Sequence, residues 1–345
     1  MNISRVILPW RSASNWPRVL LSLLLLCGTL GCGVSAGTMP SPQPRTTSGT
    51  PIVPRSPTPG VRFTAAPQPT PTVRQPTTQL TRTPVSSPDF VALQHLMLDL
   101  VNADRRKASL GAVAWDDFAA QVGMAHALEM ADNGYMSHWN LQGYGPDVRY
   151  SLAGGVDAVM ENVYRYWYRY NDGRPAPIQD WQKVIREAQA SLMNSPGHRA
   201  NILDPDHTHL GIGIAYNAQT GDVRIAQEFI NRYVTLDPLP RQMRVGDKLE
   251  VRGMLLPGAA EPLINLAYEP FPQPLTVGDL ENKKPGTYTS PADIFQPLNP
   301  NVSGDHFTAS VMLDHNRQPG LYHIRVWVKT KGRDVAASDV VIAVQ

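Results

Sequence analysis

The stretch Met193-Asn-Ser-Pro-Gly-His-Arg-Ala-Asn-Ile-Leu203 turns the chain and at once begins a helix. Ser195 stands where an N-cap is expected, its hydroxyl oxygen set to accept a first-turn N–H. Pro196 follows at the first helical position, where its missing N–H and fixed φ cost nothing. His198 then falls in the first turn. The positive end of the helix dipole favours the neutral imidazole there, the form that ligates a metal or accepts a proton. Upstream, Trp181, Val184, Ile185, Ala188 and Leu192 recur at helical spacing and predict a helix over 179–193. Downstream, Leu210–Tyr216 and Val223–Phe229 read as two strands joined by a turn at Thr220-Gly221. Two earlier helices complete the pattern. One follows Ser87-Pro88-Asp89 with Phe90, Leu93, Met97, Leu100 and Val101 inward. The other is capped by Asp116, with Phe118, Val122, Ala125 and Met130 inward. His126 on that second helix reads as a core or boundary histidine. Helices flanking a small antiparallel sheet define an α+β domain over 89–234.

The chain has 345 residues, enough for two domains. Residues 1–88 hold eight Arg and no Lys, Asp or Glu, so the remainder carries 23 basic against 29 acidic residues. A mildly acidic folded part argues against nucleic acid as a partner. Arg5, Arg11 and Arg18 precede the apolar run Val19–Leu26, and Thr-Leu-Gly-Cys ends at Cys32. A basic segment, a short apolar run and a small residue before the cut describe a secretory signal. The ending resembles a bacterial lipobox with Cys32 as lipid acceptor, although Thr29 stands where that motif prefers Leu. Residues 1–32 are therefore expected to be a lipoprotein-type signal. Residues 33–88, dense in Pro, Thr and Ser, are expected to be a disordered linker. Both cysteines, Cys27 and Cys32, lie in the leader, so the folded part contains no disulfide. The expected location is the outer face of the cell membrane or the cell wall, through an N-terminal lipid anchor.

Several separated motifs share one order: Asn102-x-x-Arg105, Gly134-Tyr-Met-Ser-His138, Glu161-Asn162, Ser195-Pro-Gly-His-Arg-Ala-Asn-Ile-Leu203 and His209-Leu-Gly-Ile-Gly213. Together they resemble the CAP superfamily of cysteine-rich secretory, antigen 5 and pathogenesis-related-1 proteins, in its bacterial branch. The resemblance implies an α-β-α sandwich with a central cleft. In that cleft two histidines and acidic residues gather, and in several members the histidines bind a divalent metal such as zinc. Carried over, the histidines are His138 and His198 and the first glutamate is Glu161. A second family glutamate falls near Ser195, which removes one carboxylate and weakens any two-carboxylate mechanism. Candidate catalytic residues on this reading are His138, Glu161, Ser195 and His198. His138 and His198 are the candidate metal ligands, holding Zn²⁺ or another divalent ion weakly because two protein nitrogens are fewer than catalytic zinc usually has.

Tyr164-Arg-Tyr-Trp-Tyr-Arg-Tyr170 alternates with a two-residue period and reads as an extended aromatic edge, either for stacking on sugars or for packing against the second domain. From residue 235 to 345 short alternating runs separated by Pro- and Gly-rich turns predict an all-β, immunoglobulin-like sandwich. Asp279, Glu281, Asp293 and Asp305 read as solvated turn residues. Three functions fit. The leading one is binding of a small-molecule, lipid or glycan ligand, or of a cell-surface component, through the His/Glu cleft. The others are a metal-assisted hydrolase built on His138, His198 and Glu161, and an adhesion module acting through the sandwich.

Overall fold

The computed structural model describes residues 3–4, 88–282 and 288–345. The signal and lipid-anchor expectations, Cys32 included, and the linker expectation for residues 33–87 lie outside the described residues. A two-residue strand β1 (Ile3–Ser4) pairs antiparallel with Arg169–Tyr170.

The first helix, α1 (Phe90–Lys107), is capped by Asp89, which accepts the N–H of Ala92 at 3.0 Å. The short strand β2 (Ala114–Trp115) leads into α2 (Asp117–Asn133), capped by Asp116 through the N–H of Ala119 at 2.7 Å. Its buried face is Ala119, Val122, Gly123, His126, Ala127 and Met130, and Ala125 points to solvent. Then come α3 (Pro146–Leu152), β3 (Ala158–Trp167), β4 (Arg169–Tyr170), α4 (Trp181–Asn194), α5 (Pro196–Ile202), β5 (His209–Asn217) and β6 (Asp222–Asn231). The sheet order is β2-β5-β6-β3, which leaves β3 at an edge.

Helices cover both faces of this sheet. On one, Met97 and Val101 of α1, Val184, Ile185 and Leu192 of α4 and Ile202 of α5 meet Leu210, Ile212, Ile214, Ile225 and Phe229. On the other, α2 lies almost directly on β5. A Cβ on Gly211 would stand 2.1 Å from the Ala120 nitrogen, and one on Gly213 would stand 2.2 Å from the backbone of Gly123. The alternation Gly-Ile-Gly-Ile is thus a close-approach face and a core face in one strand. Tyr164 and Tyr166 are buried in the α1/α4 core, while Trp167, Tyr168 and Tyr170 at the outer end of the run are half-buried. The paired motif residues of α1 are structural. Asn102 exchanges two hydrogen bonds with Val113 (3.0 and 2.9 Å), and the buried Arg105 donates to the carbonyls of Gly111, Ile202 and Asp204, each at 2.8 Å.

The second part is a sandwich of two sheets. One is β12-β13-β9-β7, from β7 (Val234–Leu236), β9 (Lys248–Leu255), β12 (Asn301–Ser303) and β13 (His306–Met312). The other is β11-β10-β14-β15-β8, from β8 (Gln242–Met243), β10 (Ala260–Glu269), β11 (Asp293–Leu298), β14 (Gly320–Thr330) and β15 (Arg333–Val344). Their inner faces meet in a core of Val251, Leu266, Phe307, Val311, Tyr322, Ile324, Val326 and Ile342. The fold is α+β, an α-β-α domain followed by a β-sandwich. Two helices were not anticipated from sequence, the short α3 and α6 (Val277–Asn282), the latter leaving the sandwich between β10 and β11.

Candidate functional site

The site is built on adjacent residues of two paired strands. Register sets Glu161 of β3 opposite Glu228 of β6, and Asn162 opposite Gln227. Because side chains alternate across a strand, each pair lies on a different face.

Glu161 and Glu228 face α2 and α3, both fully buried. His138, from the loop after α2, meets Glu161 through Nδ1 and Oε1 at 2.8 Å. Against an ionised carboxylate Nδ1 must carry a proton, so Nε2 is the nitrogen that the neutral ring would offer to a ligand. Arg149 of α3 donates through Nη2 to Glu161 Oε2 at 2.5 Å and through Nη1 to the His138 carbonyl at 2.5 Å. The same Nη2 lies 3.8 Å from Glu228. His126 of α2 sits 3.9 Å from Glu161 and donates from Nε2 to the Ser137 carbonyl at 2.9 Å. It is a buried histidine, yet it belongs to the cluster, and its Nδ1 has no hydrogen-bond partner.

Burial by itself would raise the Glu161 pKa, but Arg149, then His126 and His138, hold it well below the usual carboxylate range. Glu228 goes the other way. Burial first and the Glu161 charge second push it well above the ordinary value. One guanidinium sits against Glu161, and Glu228 is the carboxyl that holds its proton more tightly. Burial, reinforced by Arg149, lowers His126 to about 3, so it is neutral at pH 7.

Asn162 and Gln227 face α1, α4 and α5, where a chain of amides ends on the Asp104 carboxylate. Asn162 donates to Gln227 at 3.1 Å, Gln227 to Gln189 at 3.0 Å, and Gln189 to Asp104 at 3.1 Å. Asn201 donates to Asn162 at 3.1 Å. The His198 carbonyl accepts from Asn162 at 3.3 Å. His138 and His198 therefore flank the outer strand β3 from its two faces. Burial, then repulsion from His138, lowers the His198 pKa to about 4.

The structure thus joins His138 to Glu161 directly and brings His198 within electrostatic reach of His138. Ser195 occupies the joint between α4 and α5 and is the N-cap by position. Its side chain makes no capping bond, however, and its buried Oγ has no hydrogen-bond partner, while its backbone carbonyl accepts the Arg199 N–H as the first bond of the helix. Among the described residues, the one trio of acidic or histidine side chains with ligand atoms within 4.8 Å of each other is Asp147, His323 and Asp339. His138, Glu161 and His198 do not form such a trio. Sequence reasoning missed Glu228 and Arg149. The signal for Glu228 was its place opposite Glu161 once β3 and β6 are aligned, an alignment that the sequence does not print.

The family model described as "CAP: Cysteine-rich secretory protein family" matches residues 98–234, the span that holds the α-β-α sandwich and this histidine and glutamate pair. Two curated relatives come from Bacillus subtilis (strain 168). The "Uncharacterized membrane protein YlbC" is 34% identical over 139 residues, 40% of this chain and 34% of that protein. The "Uncharacterized protein YkwD" is 29% identical over 170 residues, 49% of this chain and 59% of that protein. The chain thus spans about a third and about three fifths of the relatives it matches. Among solved structures, an extracellular protein containing a SCP domain from Bacillus anthracis shares 28% identity, covering 41% of each chain at a TM-score of 0.31. An outer surface protein from Borrelia burgdorferi shares 16%, covering 42% of this chain and 97% of its own, at 0.34.

Proposed function

We propose that this chain is a lipid-anchored extracellular protein whose CAP domain binds a ligand where His138 and His198 flank the β3 edge, with a weakly held divalent cation as the first component to test. The observation that carries this reading is the Glu161 carboxylate on His138 Nδ1 at 2.8 Å. A carboxylate on one imidazole nitrogen orients the other toward a ligand, as metal-binding histidines are commonly arranged. The low pKa of His198 keeps a second neutral imidazole beside it at pH 7. Two nitrogens suit a weak, exchangeable cation, and a bound cation would supply a Lewis acid there. The hydrolase reading is less well supported. Glu161 is gripped by Arg149 and His138 and held ionised far below neutrality, so it is a poor proton shuttle and a good fixed anion.

Zinc calorimetry on the wild type, His138→Ala, His198→Ala and Glu161→Gln tests the site. Wild type is expected to bind, the two alanine variants to lose binding, and Glu161→Gln to weaken it. Equal affinity of wild type and His198→Ala would overturn the reading. Surface display rests on the lipobox-like ending at Cys32 and fits the membrane description of one curated relative. Cys32→Ser is expected to release the protein from the membrane fraction.

A further inference from the structure

The His138 loop and the Arg149 helix are both gripped from outside the CAP fold. The loop 135–142 runs between α2 and α3, and several of its outside contacts come from the sandwich. Glu281 of α6 accepts the Met136 N–H at 2.6 Å. The same carboxylate pairs with Arg165, which lies on the Glu161 face of β3 four residues further on, at 2.5 and 3.0 Å. It was expected to be a solvated turn residue and is instead an anchor. Leu280, fully buried, packs with Met130, Tyr135 and Val163, and with Met136 and Trp139 of the loop. The Leu275 N–H reaches the Leu141 carbonyl at 2.8 Å. Tyr288 meets Trp139, the neighbour of His138, edge to face at 5.2 Å.

Helix α3 has two working sides. Arg149 points inward to Glu161 and His138. Outward, Asp147 accepts from Tyr288 at 2.5 Å and from Ser290 at 2.8 Å. Val148 packs against Leu321 and Val341 of the sandwich, and Ser151 Oγ accepts the Val341 N–H at 2.7 Å. Gly145, at the start of this helix, has no room for a side chain, because a Cβ would stand 2.3 Å from the Tyr288 ring. Asp147 also lies beside His323 and Asp339, but every ligand atom of that trio is already bonded. Asp339 holds His323 and Arg325, Tyr288 and Ser290 hold Asp147, and Glu269 lies 3.4 Å from the second nitrogen of His323. The trio is a closed ionic lock between the two folds.

We infer that the sandwich domain is a structural part of the histidine site: Glu281 and Leu280 of α6, with Tyr288, are positioning residues that hold His138 on Glu161. The ligand role of His138 rests on the function proposed above, but the positioning itself does not. Two partners fix the loop to β3 through Glu281, one on the loop and one on the strand. Cutting that link frees the loop without touching the histidine, the glutamate or the arginine.

The test uses the full chain with Glu281→Ala and Glu281→Gln. Nitrogen NMR of the histidine rings reads the His138 tautomer, and amide exchange reads residues 135–142. Wild type is expected to show the Nδ1-protonated form with a protected loop. In Glu281→Ala, amide exchange of the loop is expected to rise about tenfold or more and the tautomer signature to be lost, while β14 and β15 stay protected. Glu281→Gln keeps one acceptor for Met136 and is expected to recover part of both. An unchanged tautomer and an unchanged loop in a folded Glu281→Ala overturn the inference. So does a freed loop with His138 still held on Glu161. Zinc affinity is measured on the same samples. If wild type binds no zinc, the proposed function falls, and the NMR and exchange results still decide the positioning role.

Discussion

Glu161 and Asn162 are neighbours in sequence, as are Gln227 and Glu228, yet the two faces of the sheet use them in opposite ways. On the α2/α3 face two carboxylates, one guanidinium and two histidines are packed out of water. On the α1/α4 face a chain of amides runs from Asn201 to Asp104 with each donor meeting an acceptor. The amides satisfy one another without a charge to solvate, and the one carboxylate, Asp104, lies at the end of the chain beside Lys107, so that face can be locked at modest cost. Charges cannot, and a buried pair stays in place only if each partner is held. The difference assigns structure to one face and adjustable chemistry to the other.

The largest expected effect breaks the charged face. Arg149→Met leaves the buried Glu161 carboxylate without its cation and is expected to cost about 3–5 kcal/mol. The matched cut on the other face, Gln227→Met, leaves Asn162 and Gln189 each short of a partner and is expected to cost roughly 1–3 kcal/mol. Urea denaturation of both variants at pH 7 measures the contrast. Equal costs would show that the two faces are held in the same way.

The same contrast explains what could be read in the sequence. Periodicity located the α1, α2 and α4 helices and the β5–β6 hairpin, because those elements bury continuous apolar faces. His138 and Glu161 were legible because both sit in motifs that resemble the CAP pattern. Arg149 and Glu228 were not. Arg149 lies on a seven-residue helix too short to show a period, and Glu228 matters only through its register with Glu161. The tyrosines of β3 misled for a related reason. Alternation marks a strand, but it does not say which side is inside, and here Tyr164 and Tyr166 face the core. Glu281 was hidden by distance, since its partners lie more than a hundred residues earlier.

A second prediction sharpens the comparison through pH. Glu228 has a raised pKa in the fold, with burial the main cause and the Glu161 charge the next. In the unfolded chain it ionises near 4.5. Above that pH the folded state binds the extra proton, so this group's contribution to stability is present at low pH and is lost as pH rises. Glu228→Gln imitates the protonated acid and does not ionise. Its stability should match wild type near pH 4 and exceed it progressively toward neutral pH, by up to about 1.4 kcal/mol per pH unit. The gain stops where the folded acid itself ionises. Urea midpoints from pH 4 to pH 8 give the slope. A variant that is less stable than wild type across that range would mean that Glu228 is ionised and paired, and the charge balance on this face would have to be redrawn.

The smallest effect is expected at Ser195, on the amide side of the sheet. A serine at this position ordinarily caps the helix with its hydroxyl, and its loss costs about 0.5–2 kcal/mol. Here the hydroxyl makes no capping bond, and the backbone carbonyl of Ser195 holds the Arg199 N–H at 2.8 Å, a bond that any residue retains. The buried Oγ has no partner either, so the folded state gains nothing from keeping it out of water. Ser195→Ala removes one buried polar atom and no hydrogen bond. Stability is therefore expected to stay within about 0.5 kcal/mol of wild type or to rise slightly, which a thermal melt resolves as a shift of at most a degree or two. Zinc binding is expected to be unchanged, because neither imidazole hydrogen-bonds this side chain. A loss above about 1 kcal/mol would show that the hydroxyl caps α5 in solution after all. A loss of zinc affinity without a loss of stability would instead move Ser195 into the site and join the two faces at the α4–α5 turn.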